Sequence, residues 1–509
     1  MRYGISALVL FFAFASPMDV AQAAESAPCP PVLFGESGQS GESECVAQPE
    51  QPGNSSDTEY GPTQISGGEC PRIPKSFPAT HLVRSEAEFD SAYSKLQPGE
   101  AIVIQDGNYT WNTDRTLAKK GTAEKPIYIV YQTLQRAVFT KNNAEFMITG
   151  SHHVIAGLRF NASNDEVFRI NGPDNRIACN YFQTSGGQGY IYVTGKGHGD
   201  RTEIDNNVFD NHNSTAVRIL RCDPQESNCT SNSLGIHIHH NTWKNKAYAG
   251  DNGHSAIKLG SGYEAPPGIK TYNADNNNLD AIVENNYFEN WDGEKELITV
   301  KSDHNIIRNN CIKGSTRSGI VVRAGKNNLI TGNWSDSASE GIRISGRGNY
   351  YVFNYRRTAN GGQMFRLHPG ELHEDGSRYV YIDATGNVLR HNVSSSMDRL
   401  VETAPRLGGR FIFMTNPTKN VITDNLAFSS SIVGTNAKGS YLNSDGNWSE
   451  SQFRSNNTWG NNTIVSSDLP SSACGNASLF DGPGGASASI SGNPALLGAP
   501  TTIKAPSWW

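Results

Sequence analysis

The chain has 509 residues, of which 36% are hydrophobic and 18% are charged, and its formal net charge is −6. That length is enough for a large core, while the polar composition excludes a protein made mainly of membrane-spanning segments. The acidic balance also excludes nucleic-acid binding driven by overall positive charge, so no nucleic-acid partner is expected.

The first residues have the features of a secretory signal peptide. Arg2 precedes the apolar run "ALVLFFAFA", which is too short to span a bilayer, and the small-residue pattern "AQA" precedes Ala24. We therefore predict that residues 1–23 are cleaved and that the protein is secreted or periplasmic, with no membrane span. Residues 24–75 are rich in Gly, Ser, Pro, Glu and Gln and are predicted to be a low-complexity leader or linker.

One short helix is predicted near the start of the ordered part of the chain. Ser85 is a suitable N-cap, and apolar residues follow at helical spacing as far as Leu96. The next stretch, "AIVIQDGNYTW", alternates like a strand that enters a turn. The helix is either an ordinary helix before a strand or an amphipathic cap that closes one end of a solenoid.

A short motif then recurs along most of the chain. It reads "IACNYF" at 177–182, "IDNNVF" at 204–209, "IHHNTW" at 238–243, "VENNYF" at 283–288 and "IRNNCI" at 307–312, with looser copies as far as "ITDNLA" at 422–427. Several copies lie about 21 to 27 residues apart, and wider gaps indicate loop insertions. Because no unit contains a helical stretch, we predict an all-β parallel β-helix over residues 76–470, followed by a C-terminal tail at 471–509.

The recurring Asn has a structural explanation. Asn tolerates the left-handed backbone conformation that a sharp bend between strands requires. When coils stack, its side-chain amide can also bond the Asn of the next coil. The aromatic or aliphatic residue two positions later is expected to point inward, so the motif is assigned no chemistry.

A second set of short strands follows the Asn corners, and nearly every member carries a cation. These cations are Arg218, Lys258, Lys301, Arg323, Arg343 and Arg366. Equivalent positions of a parallel β-helix stack about 4.8 Å apart, so a row of cations would be self-repelling. Either each cation pairs with a neighbouring acid, or the row lines a groove for an extended polyanion.

Two carboxylates interrupt this row. Glu294 and Glu296, at i and i+2, share one face of a strand. They either pair with the surrounding cations or hold a metal ion, to which Asn252 could add a carbonyl oxygen, and hard oxygen ligands of this kind suit Ca²⁺. Strand alternation does not place Lys301 on the face of the two Glu residues, so a bend is predicted between them.

The segment "DGEKELITVKSDHNIIRNN", followed by "GIVVRAG" and "GIRISG", resembles polysaccharide lyase family six, which comprises alginate lyases and the dermatan-sulfate lyase chondroitinase B. The resemblance covers roughly residues 78–430 and is strongest over 293–302. It implies a right-handed parallel β-helix that cleaves uronate polymers by β-elimination. It also implies that Asn252, Glu294 and Glu296 hold Ca²⁺, that Lys301 is the general base and that Arg323 is the general acid.

Four positions depart from the family pattern. Family members commonly have His where this chain has Ala324 and Asn where it has Val300. Many also have Arg in place of Lys258 and Glu in place of Ser255. The implied metal ligands and base–acid pair are retained, so these departures bear on the substrate more than on the reaction type.

The remaining cations of the row, Arg218, Lys258, Arg343 and Arg366, are predicted substrate contacts, and His368 joins them at the start of a loop beyond a groove strand. His237 and His239 share a strand face, and with no Cys or carboxylate nearby we interpret them as packing or surface residues. Cys222 and Cys229 could pair across a short loop, whereas Cys179 and Cys311 are interpreted as buried thiols.

The sequence thus predicts an exported lyase for an acidic, uronate-containing polysaccharide. Alginate is the first choice of substrate, and a dermatan-type glycosaminoglycan is the second. A non-catalytic polysaccharide-binding β-helix is the alternative of another class. The sequence gives no indication of the oligomeric state.

Overall fold

The computed structural model describes residues 70–140, 144–161, 166–183, 189–195, 198–220, 232–250, 252–260, 278–336, 341–357, 362–376, 379–395, 399–404, 412–428, 441–443 and 450–465. The predicted signal peptide, most of the predicted leader, the Cys222–Cys229 pair and the C-terminal tail lie outside these residues. Within the described residues, no helix is both long and apolar enough to cross a membrane.

Three long sheets, here called A, B and C, make up most of the described structure. Sheet A contains Thr80–Val83, Ala101–Ile104, Ile127–Tyr131, His153–Ala156, Arg176–Ala178, Glu203–Asp205, His237–His239, Ile282–Glu284, Ile306–Arg308, Leu329–Thr331, Tyr350–Val352, Val388–Arg390, Val421–Thr423 and Thr458–Gly460. Sheet B contains Gly107–Tyr109, Ala137–Phe139, Arg159–Asn161, Tyr181–Gln183, Val208–Asp210, Thr242–Lys246, Tyr287–Trp291, Cys311–Lys313, Trp334–Asp336, Tyr355–Arg357, Val393–Ser395, Leu426–Phe428 and Thr463–Val465. Sheet C contains Arg115–Leu117, Phe146–Ile148, Phe168–Ile170, Ile191–Val193, Val217–Ile219, Ile257–Leu259, Glu296–Val300, Gly319–Val322, Ile342–Ile344, Gln363–Leu367, Arg399–Thr403 and Tyr441–Asn443.

From Ala101 onward the chain visits the sheets in the order A, B, C and then begins the next coil. Neighbouring strands within each sheet are parallel and in register, so that Ile177 pairs with Ile204 and Phe182 with Phe209. The predicted all-β, right-handed parallel β-helix is therefore confirmed. A small antiparallel sheet of Gly370–Leu372, Tyr379–Tyr381 and Ile412–Thr415 is added beside the C-terminal coils.

The first of two described helices, Glu86–Lys95, packs on the N-terminal coils, and the second spans Glu450–Asn456. Ser85 caps the first helix, because its Oγ accepts the backbone N–H of Glu88 at 3.2 Å. Phe89 is buried, and its ring lies 5.3 Å from that of Trp111. This packing favours the interpretation of the helix as a cap over the end of the core.

Along the first part of the Asn ladder, the residue two positions after the buried Asn points inward, as predicted. Phe182, Phe209, Trp243 and Phe288 are fully buried and stack in sequence, with ring centroids 4.7 to 5.0 Å apart. These four coils therefore form a continuous aromatic column, which removes a large area from water. In later coils the same position is not aromatic, as at Ser335 and Arg356.

The two residues of each Asn pair divide the predicted roles between them. Asn285 and Asn309, the first members, adopt the left-handed conformation with φ of 53°. Asn286 and Asn310, the second members, are buried, and the Asn286 amide Nδ2 donates to Asn310 Oδ1 at 3.0 Å. The same contact joins Asn180, Asn207, Asn241, Asn286, Asn310, Asn333, Asn354, Asn392, Asn425 and Asn462 at 2.9 to 3.2 Å.

The interpretation of Cys179 and Cys311 as free buried thiols is wrong. Cys179 forms a disulfide with Cys70, across 109 residues of sequence, and Cys311 is also disulfide-bonded. Cys70 lies at the end of the predicted leader, and Ile73 and Phe77 after it already pack on a cluster that includes both cysteines. Neighbouring repeats could not reveal this bond, because one partner lies outside the repeat.

Candidate active site

The cations of sheet C lie in two columns and not in the single row that the sequence predicts. Register places one column at Arg218, Lys258, Thr299, Val321, Arg343 and Arg366. Lys301 and Arg323 each lie two residues beyond this column. They are adjacent to each other, because Val300 pairs with Val322 and the N–H of Arg323 donates to the Val300 carbonyl at 2.8 Å.

The offset follows from strand alternation. Val300 and Val322 are fully buried in the core, so the residues that follow them, Lys301 and Arg323, face the outside. The register also shifts between Glu296 and Ile298, where the sequence requires a bend. This bulge brings Glu296 back beside the outward residues of its own strand, where it accepts a hydrogen bond from Thr299 Oγ1 at 3.1 Å.

Glu296 lies between two arginines from the following coils. Its Oε1 accepts from Arg323 Nη1 at 3.2 Å and from Arg343 Nη2 at 3.4 Å. Burial alone would raise the pKa of Glu296, but Arg323, Arg343 and Lys301 hold it below its ordinary value. Glu296 is therefore a buried carboxylate that fixes the position of Arg323.

Glu294 is the less compensated of the two carboxylates. It is 3% exposed, and its Oε1 accepts the Ser255 hydroxyl at 2.7 Å and the His254 backbone N–H at 3.1 Å. Burial and, after it, the charge of Glu296 raise the pKa of Glu294. Asn252 is exposed and lies two residues before His254, so the coil that carries it does meet Glu294.

The side chain of Lys301 is mostly buried among charged groups. Burial is the main cause that lowers its pKa to about 8, and Arg323 and Lys258 add to the effect, while Glu296 and Glu294 partly oppose it. The pKa of Lys258 is also lowered, first by burial and then by Arg218. The site thus joins a lysine of weakened basicity to an arginine that stays charged.

The family model described as chondroitinase B matches residues 83–393, which is more than half of the chain. The chain belongs to the chondroitinase B family. It is therefore a polysaccharide lyase, and the resemblance to polysaccharide lyase family six is confirmed. A comparison with curated protein sequences gives no significant match.

Solved structures share this fold. A polysaccharide lyase of family six from Pseudopedobacter saltans is 20% identical, with 77% of this chain and 92% of that chain covered and a TM-score of 0.58. A mannuronic-acid-specific lyase of family six from human gut microbiota is 18% identical, with 81% and 98% covered and a TM-score of 0.54. The alginate lyase AlyF-OU02 in complex with G6 is 14% identical, with 79% and 89% covered and a TM-score of 0.54.

His368 lies near Arg323, because both side chains contact the ring of Tyr381. Its side chain is almost fully buried and packs on the ring of Tyr381, with centroids 4.2 Å apart, and the guanidinium of Arg323 lies 5.4 Å from the centroid of the same ring. Burial, followed by Arg343, Arg366 and Arg323, lowers the pKa of His368 well below its ordinary value, so the imidazole is neutral. The sequence carries no signal for Tyr381, which belongs to the small antiparallel sheet.

The family departure at Ala324 has a local explanation. Ala324 packs against Leu372 and Ile382, two buried residues in and beside the small antiparallel sheet. A methyl group fits this apolar contact, whereas an imidazole would need polar partners there. Ser255, where many family members have Glu, donates a hydrogen bond from its hydroxyl to Glu294. With Ser in place of Glu, the carboxylate cluster has one negative charge fewer.

The outer cations have different partners. Arg366 pairs with Glu402 Oε2 at 3.3 Å, and Arg218 donates to Ser214 Oγ at 3.1 Å. The idea that each cation of the row simply pairs with a neighbouring acid therefore holds for Arg323, Arg343 and Arg366. Arg218 and Lys258 are instead neighbours in register, and the charge of Arg218 contributes, after burial, to the lowered pKa of Lys258.

The prediction that no carboxylate lies near His237 and His239 is wrong. His237 Nε2 lies 2.7 Å from Glu284 Oε1, and His239 Nε2 lies 2.9 Å from Glu203 Oε1. These glutamates are 47 and 36 residues away in sequence but occupy the next coil on either side. The cluster is on sheet A, whereas the catalytic candidates are on sheet C.

Proposed function

We propose that the protein is an exported lyase that cleaves a uronate-containing polysaccharide, with alginate as the substrate, by calcium-assisted β-elimination. The observation that carries the proposal is the adjacent pair of Lys301, whose pKa is lowered to about 8, and Arg323, which is held by Glu296. Signal-peptide features before Ala24 support export.

The chemistry of β-elimination matches these two side chains. The C5 proton, α to the uronate carboxylate, is weakly acidic and needs a base that is free at neutral pH. Lys301 Nζ takes this proton, the electron pair forms the C4–C5 double bond, and the bond from C4 to the glycosidic oxygen breaks. Arg323 acts as the general acid: its guanidinium donates a hydrogen bond to the leaving oxygen and then gives it a proton, so that the new chain end leaves as an alcohol, while solvent takes the proton from Lys301 and returns one to Arg323.

The donor set of Asn252, Glu294 and Glu296 fits Ca²⁺. Burial raises the pKa of Glu294, and the charge of Glu296 raises it further, so a cation bound between the two carboxylates would reduce their repulsion. The contacts of Glu296 to Arg323 and Arg343, at 3.2 and 3.4 Å, are longer than the ~2.7–2.9 Å of tight charge-assisted hydrogen bonds, so its oxygens retain capacity for another ligand. When bound, calcium would neutralise the uronate carboxylate and make the C5 proton more acidic.

The positive column supports a polyanionic substrate. Arg218 and Lys258 lie on one side of Lys301, and Arg343 and Arg366 lie on the other, on coils that repeat about every 4.8 Å. The carboxylates of an extended uronate chain can meet these cations in turn, and the neutral imidazole of His368 offers a hydrogen bond at the same edge. Binding by several such contacts aligns one sugar with Lys301.

Alginate is preferred because the solved relatives of similar fold include alginate lyases and a mannuronic-acid-specific lyase. A dermatan-type glycosaminoglycan is the second candidate, because the matching family model carries the name of chondroitinase B. The departures at Ala324 and Ser255 distinguish this chain from family members in the surroundings of the catalytic pair, where substrate preference is set.

A substrate panel tests the proposal. The mature protein is incubated with alginate, mannuronate and guluronate blocks, dermatan sulfate and polygalacturonate, and the ultraviolet absorbance of the unsaturated product is followed with Ca²⁺ or with a chelator. Alginate should give the fastest rise, which should fall with the chelator and return when Ca²⁺ is added. A rise with dermatan sulfate alone selects the second substrate, and polymer binding without any rise in absorbance identifies a non-catalytic binder.

A further inference from the structure

We propose that sheet A carries a second metal site, for a divalent transition metal such as Zn²⁺, formed by His237, His239, Glu203 and Glu284. The site is independent of the calcium ligands and of the proposed function, because it lies on a different sheet. Glu203, His237 and His239 each offer one donor atom, and these three atoms all lie within 4.8 Å of one another. Glu284 adds a fourth donor, 2.7 Å from His237 Nε2.

The register of the β-helix creates this cluster. Glu203 pairs with His237 on the next coil, and His239 pairs with Glu284 on the coil after it. His237 and His239 are two residues apart on one strand, so their rings share a face and lie 4.0 Å apart. One coil therefore supplies two imidazoles, and the coils on either side supply one carboxylate each.

The donor atoms need only a small adjustment to surround an ion. Zinc bonds of ~2.0–2.2 Å in a tetrahedron separate the ligand atoms by about 3.4 Å. The two His–Glu contacts, at 2.7 and 2.9 Å, would open slightly, and the wider separations, which are within 4.8 Å, would close. Rotation of exposed or half-buried side chains is enough for this change, because 35% of the His237 side chain and 25% of the Glu203 side chain are exposed.

Surrounding groups hold the ligands as in an outer ligand shell. Arg308 donates to Glu284 Oε2 at 2.5 Å, which leaves Oε1 directed at His237. Arg72 donates to Glu203 Oε1, and Arg176 lies 3.5 Å from Oε2. His239 Nδ1 lies 2.8 Å from His240 Nδ1, so a partner is in place for the ring nitrogen of His239 that would not bind the metal. Such outer contacts orient metal ligands in proteins.

The types of donor atom, and not the net charge, favour a transition metal at this cluster. The carboxylates of Glu203, Asp205 and Glu284 contact the guanidinium groups of Arg72, Arg176 and Arg308. These ion pairs keep the carboxylates ionised, which metal binding requires. Two imidazole nitrogens with two carboxylates suit zinc, copper or nickel, whereas calcium prefers an all-oxygen set.

A metal ion bound at this site would cross-link three successive coils. A metal that binds the folded chain and not the unfolded chain stabilises the fold by mass action. The expected effect is therefore on stability and not on the elimination reaction.

The test uses the tag-free, full-length mature protein, stripped with a chelator and held in excess Ca²⁺ so that the oxygen site is occupied. Zn²⁺ alone is titrated by calorimetry, and the bound metal is counted by elemental analysis. We expect one Zn²⁺ per chain and a rise of a few degrees in Tm. His237→Ala combined with His239→Ala should abolish this binding, and Glu284→Gln should weaken it at least tenfold.

A matched control is His304→Ala, which removes a partly exposed histidine that also lies near a carboxylate, Asp280, at 3.7 Å and whose Nε2 contacts the amide of Asn327. This variant should bind Zn²⁺ like the unchanged protein. His237→Gln, at a partly exposed position, serves as a mild variant if the double substitution unfolds. Failure of the unchanged protein to bind more Zn²⁺ than His237→Gln overturns the proposal, as does equal binding by the folded double variant. Because lyase activity is not the readout, this result is separate from that of the substrate panel.

Discussion

Two regions of the β-helix differ in how far they repeat from coil to coil. One is the corner between sheets A and B, which carries the Asn ladder, and the other is the outer wall of sheet C, which carries Lys301, Arg323 and the cations beside them. At the corner Asn returns in ten successive coils, from Asn180 to Asn462, so a buried amide such as that of Asn310 bonds to identical neighbours above and below. On sheet C the equivalent position changes from Lys258 to Thr299, Val321 and Arg343. Repetition therefore marks the part of the solenoid that holds it together, and loss of repetition coincides with the proposed active site.

The two regions also differ in electrostatics. The ladder at the corner is neutral, and each amide hydrogen bond contributes about 0.5–1.5 kcal/mol. On the wall of sheet C, burial, followed by Arg323 and Lys258, lowers the pKa of Lys301 to about 8, and burial, followed by Glu296, raises the pKa of Glu294. Substitutions at the wall should change turnover and leave the fold intact, and substitutions at the corner should do the reverse.

Among these substitutions on sheet C, Arg323→Ala should have the largest effect on turnover. It removes the guanidinium that is placed beside Lys301 and held by Glu296, so turnover on alginate should fall by about 10²–10³-fold. Steady-state kinetics measure the fall per folded molecule, and Tm should also decrease, because the buried Glu296 loses one of its two guanidinium partners. The matched control is Arg317→Ala, an exposed arginine six residues earlier, which should retain turnover within about twofold. Equal activity of the two variants would remove Arg323 from the reaction.

Asn310→Ala should have the largest effect on the corner side. It leaves the backbone N–H and amide of Asn286 without their acceptor and removes two donated bonds, at a cost of about 2–4 kcal/mol. Chemical denaturation measures the loss, while turnover per folded molecule should stay unchanged. The control is Asn309→Gly, which keeps the left-handed conformation and should be nearly neutral. A smaller loss for Asn310→Ala than for Asn309→Gly would contradict the ladder account.

The pH dependence of kcat/KM should report the protonation state of Lys301. Lysine accepts a proton only when it is deprotonated, so kcat/KM should rise with pH, reach half of its maximum near pH 8 and fall about tenfold per unit well below that. Lys258→Ala removes one of the cations that lower this pKa and should shift the profile to higher pH. A profile that is flat from pH 6 to pH 9 would exclude Lys301 as the base.

Arg218→Ala should have the smallest effect. Arg218 lies two coils before Lys301 and would contact the polymer away from the reacting sugar, so KM should rise by about three- to tenfold at unchanged kcat. Added salt should reduce the difference between the variant and the unchanged protein. Arg201→Ala, an exposed arginine paired with Asp174, is the control. A fall in kcat with unchanged KM would place Arg218 in the reaction and not in binding.

The fold was predictable because its signals are local and repeated. The "NN" pair followed by an aromatic residue predicts the bend, the Asn ladder and the inward-facing side chain in one motif. The candidate site residues were also predictable, because a short segment that resembles a family pattern contains Glu294, Glu296, Lys301 and Arg323. The alternation in "LITVKS" also contains the two-residue offset of Lys301, because Ile298 and Val300 are the inward residues. Placing the cations in one row hides this offset, whereas aligning the apolar residues of neighbouring strands reveals it.

The remaining contacts depend on which residues meet across coils after long insertions. Glu203 and Glu284 reach the histidines only because the strands of three coils are in register. Tyr381 reaches Arg323 from an added antiparallel sheet, and Cys70 reaches Cys179 from outside the repeat. Spacing along one chain carries no information on such pairs, since the length of an insertion does not fix the residue at which the next coil starts.

The most direct measurement of the central claim is turnover and polymer affinity of Lys301→Ala on alginate in the presence of Ca²⁺. The claim predicts that production of the unsaturated product falls by about 10²–10⁴-fold, while affinity for the polymer and Tm stay close to those of the unchanged protein. Lys313→Ala, an exposed lysine twelve residues later, should behave like the unchanged protein. Cleavage by Lys301→Ala at the rate of Lys313→Ala would show that Lys301 is not the base of the reaction.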